Sequence, residues 1–259
     1  MQSPQPANNG TGRARRVTTA LGVVVAAALG AATLSTATTA AGPEDFWILP
    51  PATIDPTSSA ATETIVLAGG CFWGIQAVFQ RINGVESAVS GYAGGSPNTA
   101  TYGRVLSGGT GHAEAVEIVF DPSVISAGEL LRVFFSVAHD PTQLNRQYAD
   151  VGAHYRSHIY TTTPQQLEVA NAYIAQLDAA DIYHAPVVTR VDPFVSFIAA
   201  EGYHQDYLVN NGRGDPNGPN IGYLRYWDYP KMGHASQVFP EYWRATAALV
   251  ADTHPEIVN

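Results

Sequence analysis

Around residues 64–82 the apolar positions change from a strand-like to a helix-like pattern. The apolar run from Thr64 to Leu67 is typical of a short buried strand. After it, apolar residues recur at intervals of three and four, as on one face of an amphipathic helix: Phe72, Ile75, Phe79 and Ile82. Gly69 and Gly70 allow a sharp turn between the two patterns. Cys71, the only cysteine among the 259 residues, therefore lies where a predicted strand becomes a helix.

The rest of the chain is expected to supply a mixed sheet with helices on its faces. Further strands are predicted at 85–92, 112–120, 155–161 and 186–191. Two helix starts are predicted from capping patterns, Ser126 with Glu129 and Thr163 with Gln166. Strands and helices do not alternate steadily, which favours a single α+β domain over a doubly wound parallel sheet. The last third of the chain is predicted to be irregular but packed.

The N-terminal 42 residues have the pattern of a secretory signal peptide. Three arginines precede an apolar run from Leu21 to Leu34, and small residues follow it. The run is shorter than the roughly 20 residues that span a membrane. Cleavage or an uncleaved anchor, and general or twin-arginine export, all stay open. The sequence predicts an exported protein, located in the periplasm, in the cell envelope or outside the cell.

The domain boundaries follow from composition. Residues 43–62 are rich in Pro, Thr, Ser and Ala and are predicted to be a linker. Residues 63–245 form the predicted catalytic domain, and residues 246–259 a C-terminal tail. Without residues 1–42 the chain holds 10 basic and 22 acidic residues, a formal charge of −12. This balance argues against nucleic acid or an anionic membrane surface as a partner. A monomer is the expectation.

Two residues carry the candidate chemistry. A helix N-terminus stabilises a thiolate, so we expect the pKa of Cys71 to be lowered. Glu114 shares one strand face with Val116, Ile118 and Phe120. There the carboxyl would be desolvated, with a raised pKa, and would serve as a proton donor. A solvated position at the strand edge is the alternative that the sequence leaves open. Glu117, on the opposite face, is expected to be ordinary surface.

A metal site is not predicted. His154 and His158 are four residues apart, but on a predicted strand this spacing corresponds to about 13 Å, too far for one ion. Histidines elsewhere are dispersed, and one of them could pair with Cys71 as a general base. Phe72 and Trp73 would pack in the core or line a small apolar pocket beside the thiol.

Several blocks resemble the peptide methionine sulfoxide reductase A family. The active-site signature GGCFWG spans Gly69–Gly74. Further family-like blocks follow in the family's order: GYAGG (Gly91–Gly95), Tyr102, TGHAEAVEIVFDP (Thr110–Pro122), HDPTQLNRQ (His139–Gln147), DVGAHYRSHIY (Asp150–Tyr160) and YHQDYL (Tyr203–Leu208). The resemblance covers about residues 63–244. It implies a ferredoxin-like α+β sandwich and reduction of the S epimer of methionine sulfoxide, free or in proteins.

The resemblance also implies a role for each matching residue. Cys71 would attack the sulfoxide sulfur and become a sulfenic acid. Glu114 would protonate the sulfoxide oxygen, and Tyr102 and Tyr155 would donate hydrogen bonds to it. The residues expected to line the substrate site are Phe72, Trp73, Asp150 and Tyr207. No bound cofactor is implied, and the partners would be oxidised proteins or peptides and a thiol reductant.

The chain departs from the family pattern at three places. Many members carry recycling cysteines near the C-terminus, and this chain has none. A thioredoxin-type protein or a small thiol would then reduce the sulfenic acid directly. His154 replaces the family's usual glutamine before the site tyrosine. The segment 210–229 departs most and is expected to reshape one rim of the site.

Two other functions are weighed against the reductase. A cysteine acyl transferase would pair Cys71 with a histidine and need an oxyanion hole. A non-catalytic module would bind sulfoxide-bearing or Met-rich surfaces without converting them. No sequence block supports the acyl transferase. The binding module has no need for Cys71 and Glu114 together.

Overall fold

The structure is a computed structural model that describes residues 16–17 and 46–258. The strands are β1 Arg16–Val17, β2 Phe46–Trp47, β3 Glu63–Ala68, β4 Val85–Ala93, β5 Ala113–Phe120, β6 Arg146–Gln147, β7 Asp150–Val151, β8 His158–Thr161, β9 Arg190–Pro193 and β10 Phe197–Ala199. The α-helices are α1 Phe72–Phe79, α2 Tyr102–Leu106, α3 Ala127–Val133, α4 Pro164–Ala179, α5 Ile221–Tyr223, α6 Tyr229–Val238, α7 Val250–Thr253 and α8 Pro255–Val258. Short 3₁₀ turns (Pro97–Thr99, Ala153–Tyr155, Gly202–His204) and π turns (Phe134–Ala138, Leu224–Asp228) complete them.

Most of the predicted signal segment lies outside the described residues. The exception is β1, whose two residues pair with β2 in an antiparallel ladder. Within residues 16–17 and 46–258, no helix is both long and apolar enough to cross a membrane.

A six-stranded sheet organises the fold, with strand order β10-β4-β5-β3-β8-β9. Neighbouring strands run antiparallel except β8 and β9, which are parallel. The predicted α+β class with a mixed sheet is therefore confirmed. β3 lies between β5 and β8, and its residues 65–68 are fully buried because both sheet faces are covered. This is why the strand is a continuous apolar run rather than an alternating one.

The faces of β5 follow the predicted alternation. Val116, Ile118 and Phe120 lie in the larger core, which also contains the buried face of α1. Ala113 and Ala115 point to the other side, in a smaller cluster with Val66, Ala68, Ala93 and Tyr160 beneath Phe194 and Phe197. By this alternation, the side chain of Glu114 lies on the same face as Val116, Ile118 and Phe120, the face that the helices cover. The carboxyl is therefore carried to the side of the sheet on which Cys71 lies.

The predicted helix starts are confirmed in detail. Cys71 is the N-cap of α1. Ser126 accepts the N–H of Glu129 at 3.2 Å, and Thr163 accepts the N–H of Gln166 at 3.1 Å. After α1 the chain turns at Gly84, whose φ of +89° favours glycine.

The strand predicted at 155–161 begins only at His158, because Ala153–Tyr155 form a 3₁₀ turn. The strand predicted at 186–191 is displaced to β9. The last third is less irregular than predicted, since residues 221–238 are helical from end to end. The buried residues of this segment recur at intervals of three and four, but they include Asp228 and Lys231, so the sequence shows no apolar helix face that would predict it.

Part of the predicted linker belongs to the folded unit. Phe46, Trp47 and Leu49 are buried, and the Trp47 ring packs edge-on against Tyr183 with centroids 4.8 Å apart. Asp55 accepts a hydrogen bond from the hydroxyl of Ser126 at 2.5 Å and another from the backbone N–H of Gly128 at 3.0 Å. Composition predicted a linker because Pro and Thr outnumber these few apolar anchors.

The predicted tail is also docked. Val250 is buried, and its N–H donates to Asp206 at 2.9 Å. The N–H of Ala251 donates to the other oxygen of the same carboxylate at 3.1 Å. Asp206 therefore caps the short helix α7, a contact between distant residues that no local pattern announces.

Candidate active site

Cys71 lies at the start of α1 with 7 % of its surface exposed. The two preceding glycines allow another segment to approach the backbone closely. A Cβ at Gly69 would lie 2.8 Å from the ring of His139, and one at Gly70 would lie 2.7 Å from the side chain of Gln147. Gly70 also has a φ of +100°. The glycine pair therefore serves the packing of segment 139–147 as well as the turn.

Glu114 is buried beside this turn, with 2 % exposure. Its Oε2 accepts the backbone N–H of Phe72 at 3.2 Å. Burial raises the pKa of Glu114 to about 8; the nearby carboxyls of Asp150 and Asp228 add to the rise, and the Phe72 N–H opposes it. At pH 7 the carboxyl therefore holds its proton. Of the two positions left open by the sequence, the desolvated one is correct.

The thiol of Cys71 differs from the expectation. Burial raises its pKa well above the ordinary value, and the carboxyls of Glu114, Asp228 and Asp150 raise it further. The backbone N–H of Trp73 donates to the thiol and acts in the opposite direction. The helix N-terminus is thus present but outweighed, because a buried thiolate facing three carboxyls is costly. The expectation of a lowered pKa was wrong for the unliganded site.

Tyr102 and Tyr155 meet at this site from different elements. Tyr102 begins α2, and its backbone N–H donates to Glu201 at 2.9 Å. Tyr155 ends the 3₁₀ turn and lies beside His154, with ring centroids 4.2 Å apart. Burial raises the pKa of both hydroxyls, and the charges of Glu114 and Cys71 add to it. Both phenols therefore stay protonated and can donate hydrogen bonds.

Trp73 is held in an aromatic cluster. Its ring stacks on Tyr207 with centroids 3.7 Å apart and planes inclined by 2°. Its Nε1–H donates to Nδ1 of His204 at 3.1 Å. Phe72 is fully buried, with ring centroids 5.1 Å from His204 and 5.9 Å from Tyr92. These contacts give the thiol an apolar, rigid neighbour.

Asp150 faces the same site from the β6–β7 hairpin. Burial raises its pKa, and the hydroxyl of Tyr223 donates to its Oδ2 at 2.5 Å. The Tyr223 ring also meets Trp73 edge-on at 5.9 Å. The segment 210–229 therefore does shape one wall. Tyr223 itself was missed, because a single tyrosine in an unfamiliar segment carries no signal.

Sequence reasoning also missed His204, Asp228 and Lys231. Burial lowers the pKa of His204 to about 4, so its imidazole is neutral and can accept the Trp73 N–H. Asp228 and Lys231 form a buried ion pair of 3.4 Å against α1. For Lys231 a signal existed in the sequence, since it is the only lysine of the chain.

The two histidines that were weighed as a metal site lie on different elements, not on one strand as predicted. His154 lies in the 3₁₀ turn, whereas His158 lies on β8 with Nε2 2.8 Å from Asp192. In the described part of the chain, no group of three or more His, Cys, Asp and Glu side chains is arranged to hold a metal ion.

All eight residues singled out from the sequence thus converge on one site. It combines a buried thiol, a protonated carboxyl, two protonated phenols and an aromatic wall. Such an arrangement can deliver a proton to an oxygen atom while a sulfur nucleophile attacks the atom that carries it.

Comparison with known proteins agrees with this chemistry. The sequence model of the peptide methionine sulfoxide reductase family matches residues 63–218. Peptide methionine sulfoxide reductase MsrA 2 of Mesorhizobium japonicum is 47% identical over 197 residues, which cover 76% of this chain and 97% of that protein. MsrA 2 of Synechocystis sp. is 46% identical, over 74% of this chain and 87% of its own.

Solved structures agree as well. Methionine sulfoxide reductase A of Corynebacterium diphtheriae superposes with a TM-score of 0.51 at 38% identity, covering 61% of this chain and 78% of that one. Reduced Mxr1 from Saccharomyces cerevisiae gives a TM-score of 0.53 at 30% identity, over 65% of this chain and 95% of its own. The chain therefore belongs to the peptide methionine sulfoxide reductase family, whose members are oxidoreductases.

Proposed function

We propose that this protein reduces the S epimer of methionine sulfoxide, free or within proteins, through a sulfenic acid on Cys71. One observation carries the proposal: the buried thiol and the protonated carboxyl of Glu114 meet at the start of α1, linked through the N–H of Phe72. A sulfoxide oxygen leaves poorly until it is protonated. A site that holds a nucleophilic sulfur next to a neutral acid fits that requirement.

The oxygen transfer is balanced within the site. The sulfur of Cys71 attacks the sulfoxide sulfur as Glu114 protonates the oxygen, and the proton of the thiol then restores the carboxyl. The attack joins the two sulfur atoms; the protonated oxygen then moves to Cys71, so the S–O bond of the substrate and the transient S–S bond break as an S–O bond forms on Cys71. The substrate sulfur gains two electrons and becomes a thioether, while the cysteine sulfur loses two and becomes a sulfenic acid.

The remaining residues orient the substrate. Tyr102 and Tyr155 donate hydrogen bonds to the oxygen as its charge grows. Phe72 and Trp73 enclose the S-methyl group, and Tyr207 holds the Trp73 ring by stacking on it. Asp150, held by the Tyr223 hydroxyl, lines the opposite wall.

Regeneration requires an external reductant. Cys71 is the only cysteine in this sequence, so no disulfide can form within it. Two thiols, from a thioredoxin-type protein or a small thiol, convert the sulfenic acid back to the thiol, and a disulfide and water are the products. Neither Cys71 nor its neighbours supply these electrons.

The place of action and the fold type belong to the same proposal. The N-terminal segment supports export and repair of oxidised proteins outside the cytoplasm, by a monomer. Mass spectrometry of the chain recovered from each compartment tests this. A ferredoxin-like core is supported by the β-α-β-β-α-β order of β3, α1, β4, β5, α3 and β8, in which β3 lies between β5 and β8.

The test uses the full chain with racemic, blocked methionine sulfoxide and excess dithiothreitol. Chiral chromatography should show loss of the S epimer alone, and none with Cys71→Ser. Without dithiothreitol, each chain should yield a single equivalent of thioether and gain the mass of one oxygen at Cys71. Consumption of both epimers, or activity in Cys71→Ser, would contradict the proposal.

The competing functions make different predictions. An acyl transferase would pair Cys71 with an imidazole, but His139 bonds to Phe134 and Ser157, and His204 to Trp73. It should form a thiol ester on Cys71 and pass the acyl group to an acceptor, and a thiol-ester substrate can be included in the same assay. A binding module would retain sulfoxide peptides with Cys71→Ser as well as with the wild type, and would leave both epimers unchanged.

A further inference from the structure

Lys231 is the only lysine among 259 residues, and it is buried, with 5 % of its surface exposed. Lysine is almost never buried unless its ammonium group is paired. It lies on α6, which packs against α1, the helix that begins next to Cys71. Lys231 is therefore a buried charge beside the helix that follows Cys71, and not a surface charge.

The partner of Lys231 is Asp228, which has no exposed surface. The Nζ–Oδ1 distance is 3.4 Å. The other oxygen, Oδ2, is buried without a hydrogen-bond partner among the described residues. The pair is thus only half satisfied, and a half-satisfied buried carboxylate is costly.

The pair lies against the first turn of the catalytic helix. A Cβ on Gly74 would overlap Oδ1 of Asp228 and would lie 3.1 Å from Cδ of Lys231. Gly74 is three residues after Cys71, one helical turn away. The glycine leaves the space in which the charged pair approaches the backbone of α1.

Three carboxyls face the thiol, and one cation acts on two of these carboxyls. The carboxyls come from three elements: Glu114 of β5, Asp150 of the β6–β7 hairpin and Asp228 of the π turn before α6. Lys231 is the cation that limits the rise in the pKa of both Asp150 and Asp228. The other titratable groups facing the thiol or these carboxyls are Tyr92, Tyr102, Tyr155, Tyr207, Tyr223 and His154.

We propose that Asp228 and Lys231 are positioning residues that hold the first turn of α1 and balance the charge that develops on the sulfur of Cys71. The inference rests on the proposed function of Cys71. As the thiol gives up its proton, negative charge grows beside buried carboxyls, where the low dielectric strengthens every interaction. Lys231 offsets that charge, and Asp228 keeps the ammonium group at the helix.

A role in stability alone would not explain why these two buried residues are charged. A buried ion pair is often no more stabilising than apolar residues of similar volume. Burial raises the pKa of Asp228 to about 6, and Lys231 limits the rise, so the Asp228 carboxyl is mostly ionised at pH 7. The pair keeps its charge at the turn that carries the reactive sulfur.

Alkylation of Cys71 by iodoacetamide tests the proposal in the full chain. Every cysteine alkylation reports this thiol, because the sequence has no other cysteine, and the readout does not depend on reductase activity. Asp228→Asn should lower the apparent pKa of alkylation by about one unit, and Lys231→Met should raise it by about one unit. Lys231→Arg, which keeps the charge, should stay near the wild type.

The control is an ion pair of the same spacing elsewhere. Glu129 and Arg132 on α3 are also three residues apart, at 3.2 Å. Glu129→Gln should leave the alkylation profile unchanged. Folded Asp228→Asn and Lys231→Met proteins with a wild-type profile would overturn the proposal.

A second measurement needs no change in the pair. Lysine labelled with ¹⁵N gives a single side-chain signal, since Lys231 is the only lysine. This signal should shift as Cys71 titrates or is oxidised, and Cys71→Ser should abolish the shift. A Lys231 signal that does not respond to the state of Cys71 in the wild type would also overturn the proposal, even if the variants failed to fold.

Discussion

The backbone N–H of Phe72 donates to Oε2 of Glu114 across 3.2 Å. This single bond joins the first residue of the helix after Cys71 to the strand β5. It ties the carboxyl of Glu114 to the backbone of the residue that follows Cys71. A change at Glu114 should therefore affect protonation and leave the position of α1 nearly unchanged if the new side chain still accepts this bond.

The first prediction concerns the pH dependence of turnover. Glutamine at position 114 accepts the Phe72 N–H but cannot donate the proton, so Glu114→Gln should lose about 10²–10⁴-fold in turnover at pH 7. In the wild type the protonated fraction of Glu114 falls as the pH rises through about 8. Turnover that depends on the acid should fall over the same range, measured with saturating dithiothreitol.

The control for this prediction is Glu117→Gln, on the opposite face of the same strand. Glu117 is half-buried there, not the ordinary surface residue predicted, and its pKa is raised by burial. Its loss should leave turnover near the wild-type value. A Glu114→Gln enzyme with undiminished turnover would exclude the carboxyl as the proton donor.

The second prediction concerns stability. Because the folded-state pKa of Glu114 is raised from 4.5 to about 8, the folded protein binds more protons than the unfolded chain between these values. Its contribution to the free energy of unfolding therefore falls as the pH rises through this window. Glu114→Gln removes this loss, so the variant should exceed the wild type by about 4 kcal/mol at pH 8 and by less than about 1 kcal/mol at pH 5.

Urea unfolding at pH 5 and pH 8 measures the difference. The exposed Glu86, on β4, supplies the control, since Glu86→Gln should change the free energy of unfolding by less than about 0.5 kcal/mol at either pH. An advantage of Glu114→Gln that is equal at both pH values would show that Glu114 does not titrate within the window.

The third prediction concerns the aromatic wall. Tyr207→Ala removes the ring that stacks on Trp73 at 3.7 Å, and a stacked pair is worth about 1 kcal/mol beyond its burial. The KM for blocked methionine sulfoxide should rise about fivefold or more. Tyr207→Phe keeps the stack and loses the 2.8 Å bond to Asp215 and the 3.3 Å bond from the N–H of Asn220, so its KM should stay within about threefold of the wild type. Equal effects of the two changes would assign the role to the hydroxyl.

The fourth prediction concerns Gly74. A methyl group there would overlap Asp228 Oδ1 and lie 3.0 Å from its Cγ, so Gly74→Ala should destabilise the protein by about 1–3 kcal/mol. Gly103, on α2, has no atom within 4 Å of an added Cβ. Gly103→Ala should instead stabilise by about 0.5–1 kcal/mol, because alanine favours a helix over glycine. Thermal unfolding of the two variants should show shifts of opposite sign.

Local patterns predicted the central elements well. The strand β3, the helix α1 with Cys71 at its start and the two capped helices are coded by neighbouring residues, so a short window of sequence contains the information. The prediction that Glu114 lies on the core-facing side of β5 was also correct. The errors lie where contacts are non-local. Asp55 and Asp206 cap distant helices, and no window of sequence includes both partners.

The protonation of the thiol shows the same limit. The helix start that should lower the pKa of Cys71 is visible in the sequence, but the carboxyls of Asp150 and Asp228 that help to raise it come from residues far along the chain. Desolvation itself depends on how α6 and the β6–β7 hairpin close over the site. A local pattern cannot report a burial that other segments create.

The sequence by itself determined the family and the strand-to-helix turn, and it supplied Cys71 and Glu114 as the proposed nucleophile and acid, because these depend on residue types and on short-range spacing. Only the tertiary structure decided that the thiol is neutral at rest, that Tyr223 holds Asp150, and that the single lysine is buried with Asp228 beside Gly74. These properties arise from burial and from charge–charge distances between segments separated by up to about 160 residues, and they exist only once the chain has folded.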